Sequence, residues 1–138
     1  MEPLAVFLEA NVLFSAALGG EAFELIWALS EKGVLRLLTS PQAYLEAERN
    51  LALKRPEALP RLAERMRRVR FVPEPRDPAP ILGLPPADAR LYRAAEAAGA
   101  TVFLTGDRRH FGPFMERGLA PRVRTPRDFL LELGREEA

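Results

Sequence analysis

Four carboxylates stand at positions where an open parallel sheet would place chemistry. Glu9 directly follows the apolar run Leu4-Ala5-Val6-Phe7-Leu8, and Asp107 follows Val102-Phe103-Leu104 by three residues. Asp88 opens a helical stretch just before that second run, and Glu46 lies one to two turns into the helix that leaves another strand. Ligand sites of open α/β sheets lie beyond the carboxyl ends of the strands, so these acids are expected to share one crevice. Each also has an ordinary explanation. Asp88 and Asp107 suit helix starts, where an acid caps free N–H groups or faces the dipole, and Glu46 and its neighbour Glu48 suit a solvated helix face. Glu9 is harder to explain that way, because an acid ending a buried strand is costly unless it is paired, hydrogen-bonded or metal-bound.

Carboxylates crowded together repel one another and rise in pKa unless a cation compensates. Hard oxygen donors select Mg²⁺ or Mn²⁺, and ions held this way clamp a phosphodiester and activate water. Asn11, Ser15 and Thr105 are placed to supply neutral hydrogen bonds around the acids.

The elements that must position these groups follow from the apolar pattern. Leu4–Leu8 is an uninterrupted apolar run of strand length, as expected of a strand covered on both faces. Asn11 is expected to cap a short helix holding Val12, Leu13 and Phe14, ended by Gly19-Gly20. A second helix spans Glu21 to Lys32 with Phe23, Ile26, Trp27 and Leu29 on one face, and Val34 to Leu38 is the next strand. Ser40-Pro41 starts a helix through Lys54, and another runs to about Arg68 on Leu59, Leu62 and Met66. The arginines Arg65, Arg67, Arg68 and Arg70 are read as a solvated face, and Trp27 and the phenylalanines as core or subunit contact. Val69 to Val72 is a short strand, followed by a surface loop with six prolines between Pro73 and Pro86. Ala87 to Ala98 is a helix stopped by Gly99. Val102-Phe103-Leu104 is a buried strand, a short helix is expected around Phe111 to Glu116, Arg122-Val123-Arg124 reads as an edge strand, and Thr125-Pro126 opens the last helix. Strands alternating with helices predict a three-layer α/β/α sandwich around a parallel sheet in a single domain spanning 1–138.

Composition narrows the chemistry further. There is no Cys and only one His, His110, which excludes thiolate zinc sites and a Cys nucleophile and makes a His-based metal site unexpected. No Gly-x-Gly-x-x-Gly, Walker or Gly-x-Ser-x-Gly motif occurs. A receiver or haloacid-type phosphatase would want two acids together after the first strand, and Glu9-Ala10-Asn11 offers one. The net charge is +1, yet Lys32 and Lys54 are the only lysines, so 18 of the 20 basic residues are Arg, a residue suited to forked phosphate contacts and also common in GC-rich or thermophilic sources. The apolar opening follows Glu2 rather than a basic stretch and is broken by Glu9 and Asn11, unlike a signal peptide. With no apolar run long enough for a membrane span, the expected location is cytoplasmic.

The segment Val6 to Ser15 is similar to the opening of PIN domains, and Thr105-Gly106-Asp107-Arg108-Arg109-His110-Phe111 resembles their last active-site signature. The helix from Ala87 to Gly99, with Asp88 at its start, resembles the segment before that signature, and Ser40 to Leu51, with Glu46 four residues before Asn50, resembles the second acidic element. The resemblance covers the chain from Leu4 to about Phe111. It implies a PIN-like fold and a Mg²⁺- or Mn²⁺-dependent ribonuclease, often the toxin of a pair neutralised by a small antitoxin, and a homodimer. Carried over residue by residue, Glu9, Glu46, Asp88 and Asp107 are the expected metal ligands and catalytic acids. Arg49, Lys54, Arg108, Arg109 and His110 adjoin them in sequence and are the expected RNA contacts. The family's first acid is ordinarily Asp, whereas this chain has Glu9. The alternative expectation is therefore a catalytically weakened PIN-like domain that acts by binding RNA or a protein.

Overall fold

The structure, a computed structural model, describes residues 2–137. Five strands form one sheet: β1 (Leu4–Leu8), β2 (Leu35–Thr39), β3 (Val69–Phe71), β4 (Val102–Leu104) and β5 (Arg122–Arg124). Their order is β3-β2-β1-β4-β5 and every pairing is parallel. Seven helices join them: α1 (Ala10–Leu18), α2 (Glu21–Glu31), α3 (Pro41–Lys54), α4 (Leu59–Met66), α5 (Pro86–Ala97), α6 (Arg108–Phe111) and α7 (Pro126–Glu137). The result is the expected three-layer α/β/α sandwich. α1, α3 and α4 pack on one another, while α2 packs on β2 and α7. Among the described residues no single helix is long and apolar enough to cross a membrane.

β1 occupies the centre of the sheet because its residues tolerate burial on both faces; Val6, Phe7 and Leu8 are fully buried. Phe7 stacks on Phe103 of β4 with ring centroids 5.4 Å apart, and the Phe111 ring of α6 lies 4.9 Å from that of Phe103. Burying a Phe side chain contributes about 1.5–3 kcal/mol, so this row ties α6 firmly to the sheet. Ser40 caps α3 as expected, its hydroxyl accepting from the Ala43 N–H at 3.3 Å, with Pro41 in the first helical position. The chain turns through 103° between α1 and α2 at Gly19-Gly20, whose φ values of +99° and +125° disfavour any residue with a Cβ.

Three local expectations are corrected. Asn11 does not cap α1. Its backbone is already helical and Glu9 holds the cap position, which frees the amide for the site described below. The short helix after β4 begins at Arg108, not near Phe111, because the Asp107 side chain caps it by accepting from the His110 N–H at 3.1 Å; Gly112–Phe114 continues as a 3₁₀ turn. Arg65 is not on a solvated face. It is buried between α4, α1 and α2, donating through Nε to the Ala16 carbonyl at 3.1 Å and through Nη2 to Glu24 at 2.6 Å, with its guanidinium 5.1 Å from the Trp27 ring centroid. Trp27 is core, as expected, and its indole N–H donates to the Arg65 carbonyl at 3.0 Å.

Candidate active site at the carboxyl edge of the sheet

The connection leaving β1 runs toward β2 and the one leaving β4 runs toward β5, so these two adjacent strands diverge at their carboxyl ends. That is the topological switch point where open α/β sheets bind ligands. Glu9 extends β1 by one residue, its N–H bonding to the Leu104 carbonyl at 3.1 Å, and Thr105-Gly106-Asp107 extends β4. The strand ends are held in register from the other side as well, since the buried Thr39 hydroxyl donates to the Leu8 carbonyl at 2.7 Å.

A small polar network fixes the first acid. Glu9 Oε2 accepts from the Asn11 amide at 2.8 Å and from the Thr105 hydroxyl in a short bond. Asn11 Nδ2 also reaches Thr105 Oγ1 at 3.3 Å, and Asn11 Oδ1 accepts from the Gly106 N–H at 2.7 Å. Thr105 Oγ1 in turn accepts from the Asp107 N–H at 3.0 Å. Thr105 is fully buried and acts through Glu9 and the Asp107 backbone.

The second half of the site lies over α6. Asp107 Oδ2 is 2.7 Å from His110 Nδ1, and Asp88 Oδ2, from the first turn of α5, is 3.6 Å from the same nitrogen. Asp107 is therefore both a helix cap and a member of the acidic group; the two readings hold together. Phe111, locked in the aromatic row, is what anchors this turn.

All four expected acids line one cleft of about 370 Å³, together with Asn11, His110, Asn50, Lys54 and the Phe14 ring. The acids are offset unequally. Burial pushes Glu9 up to about 7, the bonds from Thr105 and Asn11 oppose this, and the charges of Asp88 and Asp107 add to it. Asp88 is raised by burial and by Asp107 and Glu46, against the pull of His110. Asp107 is also penalised by burial, but its bonds to the His110 ring and backbone outweigh that and lower it. The donor set is hard carboxylate oxygen with one imidazole nitrogen, and it fits a divalent cation. Asp88, Asp107 and His110 present donor atoms within 4.8 Å of one another and would hold such an ion, while Glu9 and Glu46 line the same cleft outside that group.

The structure does not bring every expected residue to the cleft. Ser15, one turn beyond Asn11 in α1, does not line it. Arg49 faces a separate groove between α3 and α4, and Arg108 faces a groove toward α7, 3.9 Å from Asp128. Arg109 is exposed and lines none of these depressions. Lys54 and His110 do line the cleft. Asn50 and Phe14 are additional wall residues. The signal for Asn50 is its spacing: Glu46, Asn50 and Lys54 are four apart on α3 and so share one helix face.

No protein-family model matches the chain, and no curated protein matches it. Among solved structures, the crystal structure of PAE2754 from Pyrobaculum aerophilum aligns over 96% of this chain and 90% of that one, with a TM-score of 0.64 and 18% sequence identity. The likeness is one of fold.

Proposed function

We propose that the protein is a PIN-type ribonuclease that hydrolyses RNA phosphodiesters with Mg²⁺ or Mn²⁺. The observation that carries this reading is the convergence of Glu9, Glu46, Asp88 and Asp107, from four separate segments, on one cleft at the switch point of the sheet. The raised proton affinities of Glu9 and Asp88 suit a place short of positive charge, and a bound cation would supply it. The divalent ion would contribute charge for the phosphodiester and activation of a water nucleophile. The chain's own residues do the rest. Asn11 and Thr105 orient Glu9, His110 orients Asp107, and Lys54 stands eight residues along α3 from Glu46 to meet a flanking phosphate. The same reading includes a cytoplasmic RNA substrate, a small antitoxin chain as partner, and a homodimer.

The test is cleavage of single-stranded RNA by purified protein with added Mn²⁺. Activity should vanish with chelator and fall at least about 10²-fold in Asp107→Asn; cleavage that survives both would refute the reading.

A second reading is favoured by one specific observation. Glu9 Oε2 is already committed to two internal hydrogen bonds, in a place where burial favours the neutral acid. On that reading the domain binds RNA or a protein without cutting it. Calorimetry separates the two, since a binding-only domain takes up RNA but shows no heat with Mn²⁺.

A further inference from the structure

His110 lines the cleft, with its ring nitrogen turned to two of the acids. Nδ1 lies 2.7 Å from Asp107 Oδ2 and 3.6 Å from Asp88 Oδ2, and the three donor atoms all fall within 4.8 Å of one another. The shorter separation is a hydrogen bond, and an entering ion would take the place of its shared proton; the two separations lie either side of the roughly 3 Å between adjacent donors of an octahedral ion with bonds of about 2.1 Å. The ring is also held in place. His110 is on the four-residue turn that Asp107 caps and Phe111 anchors, and it borders the same cleft as the acids.

We propose that His110 is a metal ligand through Nδ1, beside Asp88 and Asp107, and that this nitrogen biases the site toward Mn²⁺ or Co²⁺ over Mg²⁺. The inference rests on the metal-dependent reading above and adds to it the identity of a nitrogen donor. Imidazole suits first-row transition ions, whereas Mg²⁺ prefers oxygen and retains its waters. A site of carboxylates alone would have little means of telling Mg²⁺ from Mn²⁺. One imidazole among them changes the ranking without changing the charge that the acids supply.

The chain has a single histidine, which makes the test unambiguous. Protein prepared without a histidine tag is loaded with Mn²⁺ and its electron spin-echo modulation recorded; Mn²⁺ and Mg²⁺ affinities are measured by calorimetry on the same sample. We expect imidazole ¹⁴N coupling in the wild type and none in His110→Asn or His110→Gln. Mn²⁺ affinity should drop at least about tenfold in both variants while Mg²⁺ affinity stays level. Mn²⁺ bound without nitrogen coupling in the wild type would overturn the ligand assignment and leave the metal-dependent reading standing. Failure of the wild type to bind either ion would overturn both. The wild-type spectrum decides on its own, so a variant that folds poorly does not weaken the test.

Discussion

The two ends of α1 meet two buried charges that the protein treats in opposite ways. At its last turn, Arg65 is taken out of water with an anionic partner and two others: the Glu24 carboxylate, the Ala16 carbonyl and the Trp27 face. Before its first turn, Glu9 is taken out of water with a hydroxyl and an amide, and among the described residues it has no cationic partner, while Asp88 and Asp107 add like charge. Breaking up a buried charge's partners is costly, so a structural charge is normally matched where it sits. Arg65 obeys that rule and needs nothing from outside. Glu9 departs from it at the sheet's switch point, and that departure is the physical ground for the proposed site.

The contrast can be broken most forcefully at Glu9. Its folded proton affinity exceeds that of the unfolded chain, so the neutral acid suits the fold and the charge opposes it. In metal-free protein this group contributes no penalty below its unfolded pKa of 4.5 and a growing one as pH rises toward about 7. The full shift corresponds to about 3 kcal/mol. Glu9→Gln should therefore raise metal-free stability by up to about 3 kcal/mol at pH 8 and leave it level near pH 4; parallel denaturation profiles for the two proteins across that range would remove the contrast. A slightly smaller effect comes from supplying the missing charge. If the acids bind Mn²⁺, the ion at a hundredfold excess over its Kd should stabilise the wild type by about 2.7 kcal/mol, read as a rise in Tm at pH 8, and an unmoved Tm would count against the site.

At the other end the expected change is in stability alone. Arg65→Met keeps the aliphatic stem but removes the charge-assisted bonds to Glu24 and to the Ala16 carbonyl, which keeps only its bond from the Gly19 N–H, at a cost of about 2 kcal/mol in urea unfolding with Mn²⁺ affinity unaltered. A variant as stable as the wild type would show that the partners of Arg65 contribute nothing net. The smallest effect sharpens the comparison from inside the sheet. Thr39→Val removes the bond to the Leu8 carbonyl that steadies the strand end carrying Glu9. It should cost about 1 kcal/mol. It should also weaken Mn²⁺ binding, which Arg65→Met should not; equal metal affinity in both variants would make Thr39 no more than another brace.

What the sequence made legible divides along the same line. Signals that act within a few residues were readable: the apolar β1 run, Ser40-Pro41 at the start of α3, Asp107 at a helix start, and Phe111 four residues after it. Parallel strands finish on one edge, so the four acids could be brought together from their positions after strands and at helix starts. Contacts that depend on which strands are neighbours were not readable. Asn11 has the composition of a cap, and only the adjacency of β1 and β4 shows that its amide bridges Glu9 and Gly106. Arg65 sits in an Arg-rich run that looks solvated; its place three residues after the buried Leu62 was the available clue, and it takes the packing of α4 on α1 to give it meaning. Arg49 and Arg108 adjoin the acids in sequence but leave the helix on other faces, because neighbours along a helix diverge by about 100° per residue.

The Thr105 hydroxyl has one proton and two lone pairs, and each is in use: the proton goes to Glu9, the lone pairs to Asn11 and the Asp107 N–H. Nothing is left over for solvent or substrate. The hydroxyl thus joins the end of β1 to the end of β4 a second time, alongside the backbone bond from the Glu9 N–H to the Leu104 carbonyl. Whatever enters the cleft meets a Thr105 that has no valence to offer it, only the side chains that it holds in place.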